Sequence, residues 1–200
     1  PSSQIACTVA GNIGMNSGGA HCLKYGVTTN NIMGMTVVLA DGEVIEIGGD
    51  FYETDGYDLM GLMTGSEGML GIVTEVSLKV LRSPEAARPL IMGFGTNEQA
   101  GACTAAIIAS GIIPVAIEFM DKPSIHASEA FAKAGYPLDV ESLLIVEVEG
   151  SDDEIDYLLE KLTAIASQHN PSYMKVSGSA EESAAIWKGR KSAFGALGQI

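Results

Sequence analysis

The sequence predicts an α+β fold, a sheet with helices laid against one face. Two patterns carry that prediction. Short strand-like runs alternate with helical runs along the second half of the chain. In the first part, an Asp-Gly pair joins two β-rich runs, the strongest short hairpin signal. The same element order also suits a doubly wound parallel sheet, which ranks second.

The elements follow in order. Met35 to Ala40 and Glu43 to Ile47 are strand-like and flank Asp41-Gly42. Asp58 to Met63 reads as a short helix ending in the Thr64-Gly65 loop. Gly71 to Leu81 alternates apolar and polar residues, as a half-buried strand does. Arg82-Ser83-Pro84 reads as a boundary, because composition shifts there. Beyond it, Leu90 to Phe94, Pro114 to Met120, Ser142 to Val148 and Ser172 to Val176 read as strands. Between them, Glu98 to Ser110 is a small-residue helix, and Pro123 opens a helix over Lys122 to Ala134. Ser151 and Glu154 form a capping box ahead of Ile155, Leu158, Leu159, Leu162 and Ile165, which follow helical spacing. A last helix starts near Ala180 and carries Trp187, Lys188, Arg190 and Lys191.

Composition excludes several classes. Charged residues make up 18% of the 200, below the roughly 25% of an average globular chain, which argues against intrinsic disorder. No apolar run approaches the ~18 residues that cross a bilayer. A net charge of −14 argues against a nucleic-acid binder, which needs cations to neutralise phosphates. Three cysteines, Cys7, Cys22 and Cys103, form no C-x-x-C pair and read as free thiols of a reducing compartment. His21, His126 and His169 lack metal-ligand spacing.

The 24 glycines are unevenly spread: fourteen lie in residues 1–71. Thr8 to Gly19 is one glycine-rich segment, and Gly65 to Val73 is another that feeds a strand. Small residues let backbone approach a bulky ligand, and successive N–H groups can cradle anionic oxygens. Neither segment is a P-loop or a dinucleotide fingerprint. By spacing alone, tight turns and helix packing explain the first segment as well as a ligand does. Glu67 on its own reads as a solvated side chain.

Together the segments carry a resemblance. Pro1-Ser2-Ser3, Thr8-Val9-Ala10-Gly11-Asn12, Ser17-Gly18-Gly19, Cys22 to Thr28, Gly56-Tyr57-Asp58-Leu59 and Gly65 to Thr74 resemble the FAD-linked oxidases of the glycolate oxidase subunit and D-lactate dehydrogenase type. That family has the vanillyl-alcohol-oxidase flavin fold. The resemblance implies the second part of a PCMH-type FAD-binding domain over residues 1–83. It implies part of an α+β substrate (cap) domain with an antiparallel sheet over residues 84–200. The family's pyrophosphate loop is expected before Pro1 and its histidine-rich metal and catalytic motif after Ile200. The chain therefore reads as the middle of a longer enzyme, inactive by itself. A folded, catalytically silent piece or a binding module without flavin is the alternative.

The resemblance implies FAD as cofactor and, as its contacts, Ser2, Ser3, Thr8, Gly11, Asn12, Met15, Asn16, Ser17 and Gly18. It adds Glu67, Gly68, Leu70, Gly71, Ile72 and Val73 from the second segment. The family has Gly-Gly-Asn where this chain has Ala10-Gly11-Asn12, and often Thr where it has Met69; neither change removes a backbone donor.

Near the end, Trp187-Lys188-Gly189-Arg190-Lys191 places three cations within an acidic chain. A solvated helix face with Trp187 in the core is one reading. An anion site is the other, since arginine presents a planar fork that matches a carboxylate. The resemblance implies the second: Arg190 matches the arginine that grips a 2-hydroxy acid carboxylate, and Phe194 a substrate-facing position. Phe there favours a smaller or more apolar substrate than a hydroxyl residue would. His21, beside the expected ring site, reads first as a loop histidine with a backbone partner and second as a flavin or proton-transfer contact; Cys22 reads first as a buried inert thiol and second as redox-sensitive. Lys24 and Tyr25 are explained equally by shaping the site or by loop packing, and Met33, Met35, Met60, Met63 and Met69 read as core filler.

The activity implied is oxidation of a D-2-hydroxy acid, glycolate or D-lactate in type, with hydride passing from C2 to the flavin N5. No catalytic or metal-binding residue is assigned within these residues. An iron–sulfur or other electron-acceptor subunit is the implied partner, and a homodimer is compatible. The implied location is cytoplasmic, or peripheral at a membrane through that partner.

Overall fold

The computed structural model describes residues 6–49 and 56–198. The chain divides into two compact units, Pro1–Ser83 and Pro84–Ile200.

The first unit is a three-stranded antiparallel sheet with short helices. Its elements are α1 (Val9–Met15), α2 (Cys22–Tyr25), a 3₁₀ turn (Thr28–Asn31), β1 (Ile32–Val38), β2 (Val44–Gly48), α3 (Leu59–Met63) and β3 (Ile72–Leu78). The strand order is β2-β1-β3. The Asp41-Gly42 turn forms as a hairpin, but with three loop residues rather than two: the Leu39 N–H donates to the Glu43 carbonyl at 2.8 Å. Gly42 takes φ +88°, the left-handed value that closes this loop type. Asp58 caps α3 by accepting from the Gly61 N–H at 2.8 Å. The core is Ile13, Ile32, Met35, Val37, Ile47 and Met63. Ile13 is the one buried residue of α1, so it alone anchors that helix to the sheet.

The glycine-rich Thr8 to Gly19 segment carries no element predicted from sequence, and its centre is a helix. Residues Val9–Met15 are helical, with the Thr8 hydroxyl accepting from the Gly11 N–H at 3.0 Å. Two glycines weaken a helix, yet a good cap and one deep anchor hold this short one.

The second unit contains β4 (Ala86–Phe94), α4 (Asn97–Ala109), β5 (Ala116–Asp121), α5 (Lys122–Ala132), β6 (Ser142–Gly150), α6 (Asp152–Ser167), β7 (Tyr173–Val176) and α7 (Ala180–Leu197). The sheet order is β5-β6-β4-β7, and every neighbouring pair is antiparallel. This is the interlocked split βαβ arrangement, and it overturns the doubly wound parallel alternative.

Helices cover both faces, not one. Leu90, Met92 and Phe94 of β4 and Leu144, Val146 and Val148 of β6 pack under α4 and α6. Ile91 of β4 and Leu143 and Ile145 of β6 pack under α5 and α7. Successive side chains of a strand face opposite ways, so a central strand covered on both sides is apolar at every position. That explains the unbroken Leu143-Leu144-Ile145-Val146 run. Ser151 accepts from the Glu154 N–H to open α6, and Asp121 accepts from the Ser124 N–H at 3.0 Å to open α5.

Candidate functional site

In the first unit, the two glycine-rich segments meet. The Gly65 N–H donates to the Ile13 carbonyl at 2.8 Å, and the Glu67 N–H to the Gly14 carbonyl at 2.8 Å. The second segment therefore supplies donors to carbonyls near the C-terminal end of α1. The junction is built on left-handed backbone: Asn16 (φ +45°), Gly65 (+82°), Glu67 (+53°) and Gly68 (+78°). A Cβ on Gly65 would stand 3.3 Å from the Asn16 Cβ, tighter than ordinary contact.

The individual residues divide by role. Asn16 accepts from the Thr29 N–H at 3.0 Å, and the Ser17 carbonyl accepts from the Thr28 hydroxyl at 2.7 Å. These bonds tie the end of α1 to the 3₁₀ turn. Asn12 donates to the Cys7 sulfur at 3.4 Å. Thr8 and Gly11 form the helix cap. Gly18 and Gly71 are glycines because neighbours leave no room: a Cβ would lie 2.9 Å from the Cys22 sulfur and 2.6 Å from Val37 Cγ1, respectively. Met15, Met69 (82% exposed), Leu70 and Ile72 stand exposed, and Val73 is half-buried. Met69 is thus not core filler. Glu67 is exposed, as a solvated carboxylate should be. Ser2 and Ser3 lie outside the described residues. A glycine-built backbone with exposed apolar side chains fits a broad, flat, partly apolar ring system such as a flavin.

In the second unit, the cationic cluster resolves into different roles. Lys188 and Lys191 are exposed. Arg190 turns to the sheet, where its Nε donates to Glu118 Oε2 at 2.6 Å and its Nη2 to the same oxygen at 2.5 Å. Trp187 donates its indole N–H to Glu147 at 2.6 Å. Glu118 and Glu147 lie on the sheet face that α5 and α7 cover, as their register with Ile145 and Ala116 requires. Phe194, one turn beyond Arg190, is 92% exposed.

Glu118 and Glu147 were not among the residues expected from sequence. The available signal was an acid inside each of two apolar strand runs, Ala116–Met120 and Leu143–Val148. Such acids need a partner, because burying an unpaired charge is costly.

Among the described residues no group of three His, Cys, Asp or Glu side chains is placed to hold a metal ion, and no helix is long and apolar enough to cross a membrane. Burial pushes the Cys103 thiol up to about 11, the behaviour of an inert core cysteine. His21 precedes α2, and Cys22 accepts from the Gly19 N–H at 2.9 Å.

Two antiparallel α+β units, one carrying a glycine-rich junction that a flavin ring fits, agree with the flavin-linked class that the sequence resembles. Comparison with known proteins makes this specific. The profile for "FAD linked oxidases, C-terminal domain" matches residues 83–200, and that for "FAD binding domain" matches residues 1–48. The chain belongs to the FAD-linked oxidase family, and FAD is its cofactor. It is 44% identical over its full length to the glycolate oxidase subunit GlcD of Escherichia coli (strain K12), covering 40% of that protein. It is 35% identical over 166 residues to a D-lactate dehydrogenase of Anaerostipes hadrus, covering 79% of this chain and 35% of that one. Among solved structures, an alkyldihydroxyacetonephosphate synthase superposes with a TM-score of 0.78 at 22% identity, over 98% of this chain and 40% of the other. The fold is the expected one, a PCMH-type FAD-binding domain portion followed by an α+β cap-domain portion with an antiparallel sheet. The chain spans about two fifths of the length of these relatives.

Proposed function

We propose that this chain is a central segment of an FAD-dependent oxidoreductase that oxidises a D-2-hydroxy acid of the glycolate or D-lactate type to the 2-oxo acid. The similarity to a glycolate oxidase subunit and to a D-lactate dehydrogenase supports the substrate class. FAD, held by the residues named below, would supply the hydride acceptor for oxidation at C2.

Residues of this chain contribute binding and orientation. The α1 end and the Gly65–Val73 segment hold the flavin through backbone groups and exposed apolar side chains. Arg190 holds the substrate carboxylate. Its Nη1 makes no hydrogen bond among the described residues, so one edge of the fork is available to a second carboxylate. That edge is the observation that carries the reading. Fixing the carboxylate fixes the position of C2, which is worth rate because the reacting atoms are held in one geometry. Phe194 beside it presents an apolar surface that favours a small or apolar side chain on the acid. Electrons leave through a partner subunit, iron–sulfur or otherwise; the word "subunit" in the relative's name supports a multi-chain assembly. The location that fits is cytoplasmic, or peripheral at a membrane through that partner. The 200-residue chain alone is inactive in this reading.

The test is Arg190→Ala in the flavin-loaded full-length protein. Loss of a charge-assisted bidentate contact should lower kcat/KM by roughly 10- to 100-fold, mostly through KM. Unchanged turnover of glycolate and D-lactate would sink the carboxylate assignment. For the cofactor site, flavin absorbance of the purified protein is the check.

A further inference from the structure

Arg190 is mounted, not merely present. Three contacts converge on its helical turn. The Tyr136 hydroxyl donates to the Ile186 carbonyl at 2.5 Å, the carbonyl that the Arg190 N–H addresses in a regular helix. Tyr136 is buried, and burial raises its phenol; a hydrogen bond from the Arg190 backbone works the other way. Gly189 packs against the hydroxyl end of the same ring, where a Cβ would stand 2.7 Å from the Tyr136 oxygen and 2.6 Å from the Ala134 Cβ. The backbone under Arg190 is therefore held in place. What remains free is the guanidinium, and Glu118 takes it.

The geometry points to Glu118 as a positioning residue that sets both the orientation and the charge of the Arg190 carboxylate clamp. This rests on the reading of Arg190 given above. One oxygen of Glu118 receives Nε and Nη2 together, which fixes the guanidinium plane from one edge. The Glu118 side chain is 15% exposed and that of Arg190 35%, so the carboxylate sits inside and the guanidinium reaches outward. The pair is close to neutral. A substrate carboxylate then meets a well-aimed donor whose charge is already largely balanced, so orientation is gained without tight ground-state binding. Binding that does not favour the transition state adds nothing to kcat.

The experiment compares Glu118→Gln, Glu118→Ala and Arg190→Ala in the flavin-loaded full-length protein. Glutamine keeps an acceptor oxygen for Nε and Nη2 but removes the charge. It should lower KM for glycolate or D-lactate several-fold, with kcat within about twofold of wild type. It should also tighten oxalate binding several-fold, read without turnover from the perturbed flavin spectrum. Alanine removes the mount, and kcat should fall about tenfold or more while glutamine retains it. That rescue by the conservative variant is the signature of positioning. Equal kcat loss in Gln and Ala, or both variants within twofold of wild type in every constant, overturns the proposal. Should Glu118→Ala fail to fold, the KM and oxalate shifts of Glu118→Gln decide alone. Arg190→Ala separates the two layers: unchanged KM there overturns the substrate reading itself. A raised KM there with silent Glu118 variants overturns only the mount.

Discussion

The two candidate sites are made of different material. In the first unit, the proposed flavin site is backbone: left-handed residues at 16, 65, 67 and 68, and carbonyl-to-amide bonds joining two segments. In the second unit, the proposed carboxylate site is side chain: Arg190 and Trp187 on one helix, Glu118 and Glu147 on two strands. The difference teaches where each is vulnerable. A backbone site tolerates most changes of exposed side chains but not the loss of a glycine or of the anchor beneath it. A side-chain site is sensitive at single charged residues and is protected by a core buried on both faces of its sheet.

The largest effect that would test this contrast is Ile13→Ala. Removing the only buried side chain of α1 should cost about 2–5 kcal/mol and weaken FAD binding together with it. Thermal unfolding and FAD titration on one sample measure both. If FAD affinity holds while stability falls, the α1 end is not part of the cradle. Next comes Gly65→Ala, which forces a Cβ into left-handed backbone against Asn16 and should cost about 1–2 kcal/mol. Its counterpart Met69→Ala, at an exposed side chain, should stay within about 0.5 kcal/mol. Denaturant melts of the pair would break the comparison if Met69→Ala proved the costlier.

The smallest effect is a pH dependence in the second unit. Hydrogen bonds from Ser124 hold the Asp121 carboxyl below its usual range. A lowered folded pKa means the contribution is present above the unfolded value, about 3.9, and is lost as pH falls through the folded one. Asp121→Asn keeps a capping oxygen but cannot titrate, so its stability should vary less with pH between about 5 and 2 than wild type does. Parallel melting curves for both proteins across that range would refute this.

Much of the architecture is legible locally. Caps at Asp58, Asp121 and Ser151, the Asp41-Gly42 turn and the apolar spacing behind Ser151 each depend on a few adjacent residues, and each forms in the structure. The α1 helix is less legible, because Gly11 and Gly14 mask a short helix whose stability comes from one tertiary anchor. The helices on both faces are legible only in hindsight, through β6: its continuous apolar run is what two-sided cover demands.

The sequence by itself determines most of the elements, the family and the two glycine-rich segments, since propensity, turns and motifs are properties of neighbouring residues. Only the tertiary structure decides that Arg190 meets Glu118, 72 positions away, and that Trp187 meets Glu147, 40 away. Those pairings depend on strand order, register and the face on which α7 settles. The physical reason is that an acid in a buried strand must find a partner, and only the assembled sheet brings one within reach.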